Sequence, residues 1–173
     1  DILHKKGEEQ EAFAAYDSCL QWKDDNVMAL NNYAYYLSEK GVDLHKAESM
    51  SYKTIKAEPN NGTYLDTYAW ILFMEERYAD AKTYIDQALK NRDSTADNST
   101  VLEHAGDIYY MNGMTDESVD FWKKAYTGEN QTEVLAWKIK NRQYITEEEL
   151  KKRNAPKQKP AATKKSVRKG KKK

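Results

Sequence analysis

Small and bulky residues recur along this chain at spacings that predict pairs of closely packed helices. A small residue is followed by a second about twelve positions later, and by a third seven positions after that. Three sets fit: Ala34, Ala47 and Thr54; Ala69, Ala81 and Ala88; and Gly106, Ser118 and Ala125. An incomplete earlier set has Ala12 and Cys19. Because two helices approach closely only where the crossing side chains are small, each set predicts one antiparallel helix pair.

Bulky residues surround the small ones at the three- and four-residue spacing of a single helical face. In the first helix of each pair they are Leu30, Tyr33 and Leu37; Leu65, Tyr68 and Leu72; and Leu102 and Tyr109. In the second helices they are Tyr16, Ile85 and Trp122. The combined pattern predicts helices at about 1–6, 8–22, 27–39, 43–57, 62–75, 78–91, 99–112 and 115–127.

Turn and capping residues predict where these helices begin and end. Gly41 and Gly113 provide tight turns between helix partners. Thr132 is placed as the N-cap of a further helix that reaches about residue 141, and Thr146 with Glu149 forms a potential capping box. This C-terminal segment would cover the apolar side of the last helix pair, as terminal caps of repeat arrays do.

Composition narrows the class of protein. Only 7 of the 173 residues are Gly and 3 are Pro, which excludes collagen-like chains and flexible Gly-rich linkers. The single cysteine, Cys19, excludes an internal disulfide framework and a cysteine-rich zinc site. No apolar run approaches the roughly 18–20 residues of a membrane-spanning helix.

The formal net charge of zero conceals two oppositely charged parts. Residues 151–173 contain 12 Lys and Arg and no Asp or Glu, so residues 1–150 carry a net charge of −12. The basic segment has almost no bulky apolar side chains to offset the entropy of ordering. The sequence therefore predicts an acidic folded body with a disordered basic tail.

The repeat resembles the tetratricopeptide repeat (TPR), whose signature is a spaced set of Leu, Gly, aromatic and Ala residues with a terminal Pro. The matching segments are Leu30-x-x-Tyr33-Ala34-x-x-Leu37, Leu65-x-x-Tyr68-Ala69-x-x-Leu72 and Leu102-x-x-Ala105-Gly106-x-x-Tyr109. The usual leading Trp is Leu in all three, and the terminal Pro is present as Pro59 but replaced by Asp24 and Asp93 elsewhere. The resemblance implies an all-α fold, a right-handed α-solenoid of antiparallel helix pairs.

On this basis we expect six segments. They are a partial repeat at 1–26, repeats at 27–61, 62–98 (with an extended loop) and 99–130, a capping region at 131–150 and the Lys-rich tail at 151–173. Because the chain starts within a repeat, we expect it to be the C-terminal piece of a longer protein. Residues 30–89 resemble repeats of long proteins from Bacteroides-like bacteria, which are often exported or lipid-anchored. That resemblance favours a periplasmic or envelope location and leaves the cytoplasm open.

The resemblance also implies a concave groove lined by the first helix of each repeat. Its residues would lie one position beyond the packing stripe: Asn31, Tyr35, Ser38, Asp66, Trp70, Phe73, Glu103, Asp107 and Tyr110. Exposed aromatic rings flanked by carboxylates would receive a basic or aromatic protein or peptide. The alternative is that Trp70 only packs against the neighbouring repeat. Acidic residues here, Glu39 included, argue against capture of a partner's C-terminal carboxylate.

Candidate catalytic chemistry is sparse. His4, His45 and His104 fall in different repeats, each on a polar helix face, without metal-ligand spacing. We therefore predict a non-enzymatic interaction scaffold with no catalytic residue, metal, cofactor or small-molecule substrate. Two alternatives remain open: association with nucleic acid or an anionic membrane through the tail, and a regulatory domain of a larger protein. The tail itself is compatible with free solvation, phosphate binding or docking on its own acidic body.

Overall fold

The structure is a computed structural model that describes residues 11, 13–16, 18, 26–93 and 95–155. Residues 11, 13–16 and 18 are helical. Within residues 26–155, apart from residue 94, the chain forms eight α-helices and no strand. They are α1 (Val27–Lys40), α2 (Leu44–Ala57), α3 (Gly62–Met74), α4 (Tyr78–Asn91), α5 (Ser99–Met111), α6 (Thr115–Ala125), α7 (Glu133–Asn141) and α8 (Glu147–Asn154), with a 3₁₀ turn at Gly128–Asn130 before α7.

Capping side chains fix the helix ends. The Asn26 side chain accepts a hydrogen bond from the Ala29 amide at 3.0 Å and so starts α1. Helix α1 ends at Gly41, whose φ of +64° is the left-handed conformation that glycine adopts without strain. Thr132 caps α7, and Thr146 with Glu149 forms a complete capping box at α8. The predicted turn and caps at Gly41, Thr132 and Thr146 are confirmed.

The helices pack as consecutive pairs, α1 with α2, α3 with α4 and α5 with α6. The first helices α1, α3 and α5 also contact one another in turn, which makes them the inner layer of an all-α solenoid. The earlier helical residues continue this arrangement, since the Phe13 and Tyr16 rings pack against Tyr33 of α1.

The crossing positions of the three complete sets are confirmed, whereas Ala12 and Cys19 of the incomplete set lie outside the described residues. All eight that carry a side chain are 0% exposed: Ala34, Ala47, Thr54, Ala69, Ala81, Ala88, Ser118 and Ala125. At the ninth, Gly106, an added Cβ would lie 2.3 Å from Cδ1 of Trp122. Of the bulky stripe, Leu30, Leu65 and Leu72 are buried, as are Ile85 and Trp122 of the second helices. Steric fit at the crossings therefore sets the spacing of each helix pair.

Helices α7 and α8 cover the end of the last pair. Leu135, Ile145 and Leu150 are buried there. Helix α8 continues through residues 151–154, which the sequence assigned to the disordered tail. Acidic residues in its first turn and basic residues in its last complement the helix dipole, and Glu148 pairs with Lys152 at 2.7 Å.

The described residues cover only part of the predictions on the two ends of the chain. The predicted helix at 1–6, most of the partial repeat and tail residues 156–173 lie outside the described residues, so those predictions stay predictions. In the described ranges, no helix has the length and apolar content needed to cross a bilayer.

Candidate functional site

The structure places six of the nine predicted groove residues on two adjoining cavities of the inner layer. The larger cavity, of about 830 Å³, is lined by Tyr35, Trp70, Glu103 and Asp107 among others. The smaller, of about 620 Å³, is lined by Asn31, Tyr35 and Asp66. Tyr35 and Thr100 line both cavities, so the two adjoin at these residues. We call this surface the concave groove.

The other three predicted residues line neither cavity. Ser38 is fully buried and its hydroxyl donates to the Tyr35 carbonyl at 2.6 Å. Phe73 lies beneath Trp70 and Tyr144, and Tyr110 tilts against Trp122. These residues face the inner layer but are covered by neighbouring side chains.

The prediction that the aromatic rings of Trp70 and Phe73 are exposed is wrong, since both are buried. Trp70 is only 9% exposed and lies in a stack between Phe73, at 4.7 Å between ring centroids, and His104, at 4.1 Å. Its indole nitrogen donates to Glu39 at 2.8 Å. The packing alternative thus describes the surroundings of Trp70, because His104 belongs to the next repeat. Of this stack, Trp70 and His104 line the larger cavity and Phe73 does not.

His104 is likewise not the surface histidine that the sequence suggested. It is 5% exposed, and its Nδ1 lies 2.9 Å from Oδ1 of Asp66. Burial lowers the pKa of His104, but Asp66, and then Glu39 and Asp107, raise it, so that the pKa ends above its ordinary value. The face of α5 that carries His104 is polar in sequence because it forms a buried polar pair with Asp66 of α3.

A buried ion pair closes one end of the groove. Lys138 of α7 is 3% exposed and donates to both carboxylate oxygens of Asp107 at 2.8 Å and to Glu103 at 3.1 Å. Asp107 also accepts from the Trp122 indole at 2.8 Å. Burial lowers the pKa of Lys138, but Asp107 and Glu103 raise it by more than burial lowers it. The net pKa lies above its ordinary value, and the ammonium group stays charged. Part of the predicted acidic face is therefore neutralised by the chain itself.

Sequence reasoning missed Lys138 as a groove residue. It stands three residues after Leu135, on the side of α7 that packs on the solenoid. A single lysine at such a position signals a buried partner, because lysine is almost never fully buried unpaired. That signal was present in the spacing.

The rest of the larger cavity combines an apolar wall with an acidic rim. Met74, Tyr144, Ile145 and Leu150 contribute apolar surface, while exposed Glu39, Glu133 and Glu147 stand at the rim. The smaller cavity is rich in side-chain amides, namely Asn31, Asn32, Asn60, Asn61, Asn91 and Asn98. An extended chain could therefore meet apolar, acidic and hydrogen-bonding surface in turn along the groove.

Acidic residues outnumber basic ones along the whole concave groove. Eight carboxylates line its two cavities against three Lys and Arg side chains: Glu39, Asp66, Asp93, Asp97, Glu103, Asp107, Glu133 and Glu147 against Arg92, Lys138 and Lys151. The pKa of Tyr35, at the junction of the cavities, is raised by burial and then by Glu39, Asp66 and Glu103. The groove thus keeps a negative field despite its internal ion pairs.

The raised pKa of His104 predicts a pH dependence of folding. The stabilisation is complete below the unfolded pKa of about 6.5 and is lost as pH rises through the higher folded value. We expect the unfolding free energy to fall as the pH rises above about 6.5, and this fall to shrink in His104→Gln. Urea denaturation at several pH values measures it.

Exposed His45, which lies away from the His104–Asp66 pair, provides the matched control: the change in pH dependence caused by His104→Gln should exceed any change caused by His45→Gln. An NMR titration that places the pKa of His104 below about 6.5 would contradict the assignment of a charged His104–Asp66 pair.

Among the residues that the structure describes are two histidines, His45 and His104. Over these residues, no group of three or more His, Cys, Asp or Glu side chains is arranged to hold a metal ion. His45 lies exposed on α2, whereas His104 is buried in the inner layer.

Comparison with known proteins adds one curated relative. No model of a protein family matches the chain. A TPR repeat-containing protein of Pseudomonas aeruginosa is 35% identical over 66 residues, which is 38% of this chain and 11% of that protein. The chain therefore spans about a tenth of the length of this relative.

Solved structures share the fold at low sequence identity. PilF of Pseudomonas aeruginosa has a TM-score of 0.67 at 16% identity, over 81% of this chain and 62% of PilF. MamA has a TM-score of 0.62 at 17% identity, over 82% of this chain and 81% of MamA. A tetratricopeptide repeat protein from Parabacteroides merdae has a TM-score of 0.62 at 20% identity, over 82% of this chain and 54% of its own. With the confirmed crossing positions, these similarities show that the chain shares the all-α solenoid fold of tetratricopeptide-repeat proteins.

Proposed function

We propose that the concave groove binds an extended segment of a partner protein in which basic residues alternate with apolar or aromatic ones. Tetratricopeptide-repeat solenoids in general support protein–protein interaction, and the specific groove and partner chemistry are our proposal. The observation that carries it is the excess of carboxylates beside an open apolar wall in the larger cavity.

Each part of the groove has a role in this proposal. Met74 and Tyr144, both half-buried in the lining of the larger cavity, offer apolar contact to bulky partner side chains, which usually supply most of the binding energy. Glu39 and Glu133 would attract Lys or Arg and set the charge preference. The stack of Trp70 on His104 holds this surface rigid, which lowers the ordering cost of binding.

Fluorescence anisotropy with a labelled peptide of alternating Lys and Leu or Phe tests this function. We expect saturable binding, and no binding of the same peptide with Glu in place of Lys. Glu39→Gln with Glu133→Gln should weaken binding about fivefold, since each rim charge contributes about 0.5 kcal/mol.

The matched control removes two carboxylates from the outer surface. Glu117→Gln with Asp120→Asn changes the net charge equally, on exposed positions of α6 that line neither cavity. If both double variants weaken binding to the same extent, attraction is a property of the total charge and the groove is not the site.

A further inference from the structure

The described part of the chain ends on the wall of the concave groove. Lys151, Asn154 and Ala155, at the end of α8, all line the larger cavity. The Asn154 side chain donates to Glu133 on the opposite rim at 3.1 Å, which holds the end of α8 against α7. Whatever follows Ala155 therefore begins beside the acidic surface.

The sequence that follows has the opposite charge. Residues 156–173 contain nine Lys and Arg, no Asp or Glu and no aromatic residue. The groove that they start from has eight carboxylates against three Lys and Arg. Charge complementarity and direct attachment both favour residues 156–173 as the segment that binds in the concave groove.

We propose that residues 156–173 dock in the concave groove of their own chain and compete there with the partner segment. The competition with a partner segment rests on the proposed function, whereas the docking itself depends only on the groove and the tail. Direct attachment gives the tail an effective concentration on the order of millimolar, so weak attraction suffices for occupancy. Lacking aromatic or bulky anchors, the tail would be held mainly by charge and be displaced by a partner that also fills the apolar wall.

The length of the tail fits the groove. A segment of eighteen residues can span about 5–6 Å × √18, or about 23 Å, as a random coil, and up to about 60 Å when fully extended. Because the two cavities adjoin at Tyr35 and Thr100, one continuous segment can pass from the first to the second.

Paramagnetic broadening in the full chain tests the docking. A nitroxide on Lys164→Cys, in a Cys19→Ala background, should broaden the signals of Glu39 and the Trp70 indole most strongly at about 0.01 M salt. The outer surface, reported by exposed Tyr52 on α2, should be affected least. At about 1 M salt, where the Debye length is about 3 Å, the pattern should disappear.

Two results would overturn the proposal. One is broadening that is even over both surfaces or strongest at Tyr52. The other is groove broadening that persists when the remaining basic residues of 156–173 are replaced by Gln. The unlabelled variant must reproduce the amide spectrum of the wild type, and if Cys19→Ala disturbs it, Cys19→Ser takes its place.

Competition separates the failure of this inference from failure of the proposed function. The labelled Lys-rich peptide should bind the Gln-tailed full chain about three- to tenfold more tightly than the wild type, as expected if the tail occupies the groove most of the time. As a control for overall charge, Lys53→Gln, Lys90→Gln and Lys123→Gln remove three exposed charges outside the groove and should change affinity much less for each charge removed than the nine replacements in the tail. Equal affinity of the Gln-tailed and wild-type chains overturns tail competition alone. Binding by neither chain overturns the proposed function, while the broadening still decides the docking.

Discussion

Replacing Lys138 by Met is expected to lower the unfolding free energy by about 3–5 kcal/mol, as measured by guanidinium denaturation. The reason is the carboxylate that remains. Asp107 is buried, and Lys138 provides two of its hydrogen bonds at 2.8 Å. Without the ammonium group, a desolvated negative charge keeps only the Trp122 indole as a donor among the described contacts.

A control variant and a compensating variant test whether the loss comes from the unpaired Asp107 carboxylate. Lys140→Met, on the exposed side of the same helix, should change stability by less than about 0.5 kcal/mol. Asp107→Asn in the Lys138→Met background removes the unpaired charge and keeps an oxygen for Trp122, so most of the loss should be recovered. If Lys138→Met costs no more than Lys140→Met, the network is not formed in solution.

The Lys138 network also explains how the groove acquires its shape. Helix α7 would otherwise be held to the solenoid only by its apolar contacts at Leu135 and Ile139. The pair to Glu103 and Asp107 fixes the direction in which the chain continues towards Tyr144 and Ile145. Those residues then complete the wall of the larger cavity, so the stability of the cap and the shape of the candidate site depend on the same contacts.

The helix pairs could be predicted because their constraint is local and periodic. Ala69, Ala81 and Ala88 repeat a spacing that only close helix crossings require, and all three are fully buried. Capping is similarly local, since Thr146 and Glu149 act within one turn of α8. These features need no knowledge of distant parts of the chain.

The candidate site was only partly predictable, because its covering contacts come from distant residues. The helical register placed Trp70 on the inner layer, but its burial depends on His104, which is 34 residues away in the sequence. The sequence pattern predicts that Asp107 binds a partner protein, whereas in the structure its carboxylate is paired with Lys138, 31 residues later in the chain. Helical periodicity tells which way a side chain points, and tertiary packing decides what covers it.

Gly106 should be the least tolerant of the crossing positions. An added Cβ would lie 2.3 Å from Cδ1 and 2.4 Å from Nε1 of Trp122, a fully buried ring that has no room to retreat. We expect Gly106→Leu to lower the unfolding free energy by about 3 kcal/mol or more, at the upper end of the range for overpacked cores, and Gly106→Ala by about 1–2 kcal/mol. Chemical denaturation followed by circular dichroism measures both losses.

A double-mutant cycle with Trp122→Phe attributes the loss to this single contact. On its own Trp122→Phe is destabilising, because it leaves a space and removes the hydrogen bond to Asp107. Phenylalanine keeps Cγ and Cδ1 but has no counterpart of the indole nitrogen, and its smaller ring can move into the space that is left. Gly106→Ala should therefore cost less in this background, with a coupling of about 1 kcal/mol. In an exposed helix, replacing Gly by Ala stabilises the helix by about 1 kcal/mol. The expected loss for Gly106→Ala must therefore come from the clash with the Trp122 ring. If the two losses are simply additive, the ring and the glycine do not meet, and the helix crossing between α5 and α6 lies elsewhere.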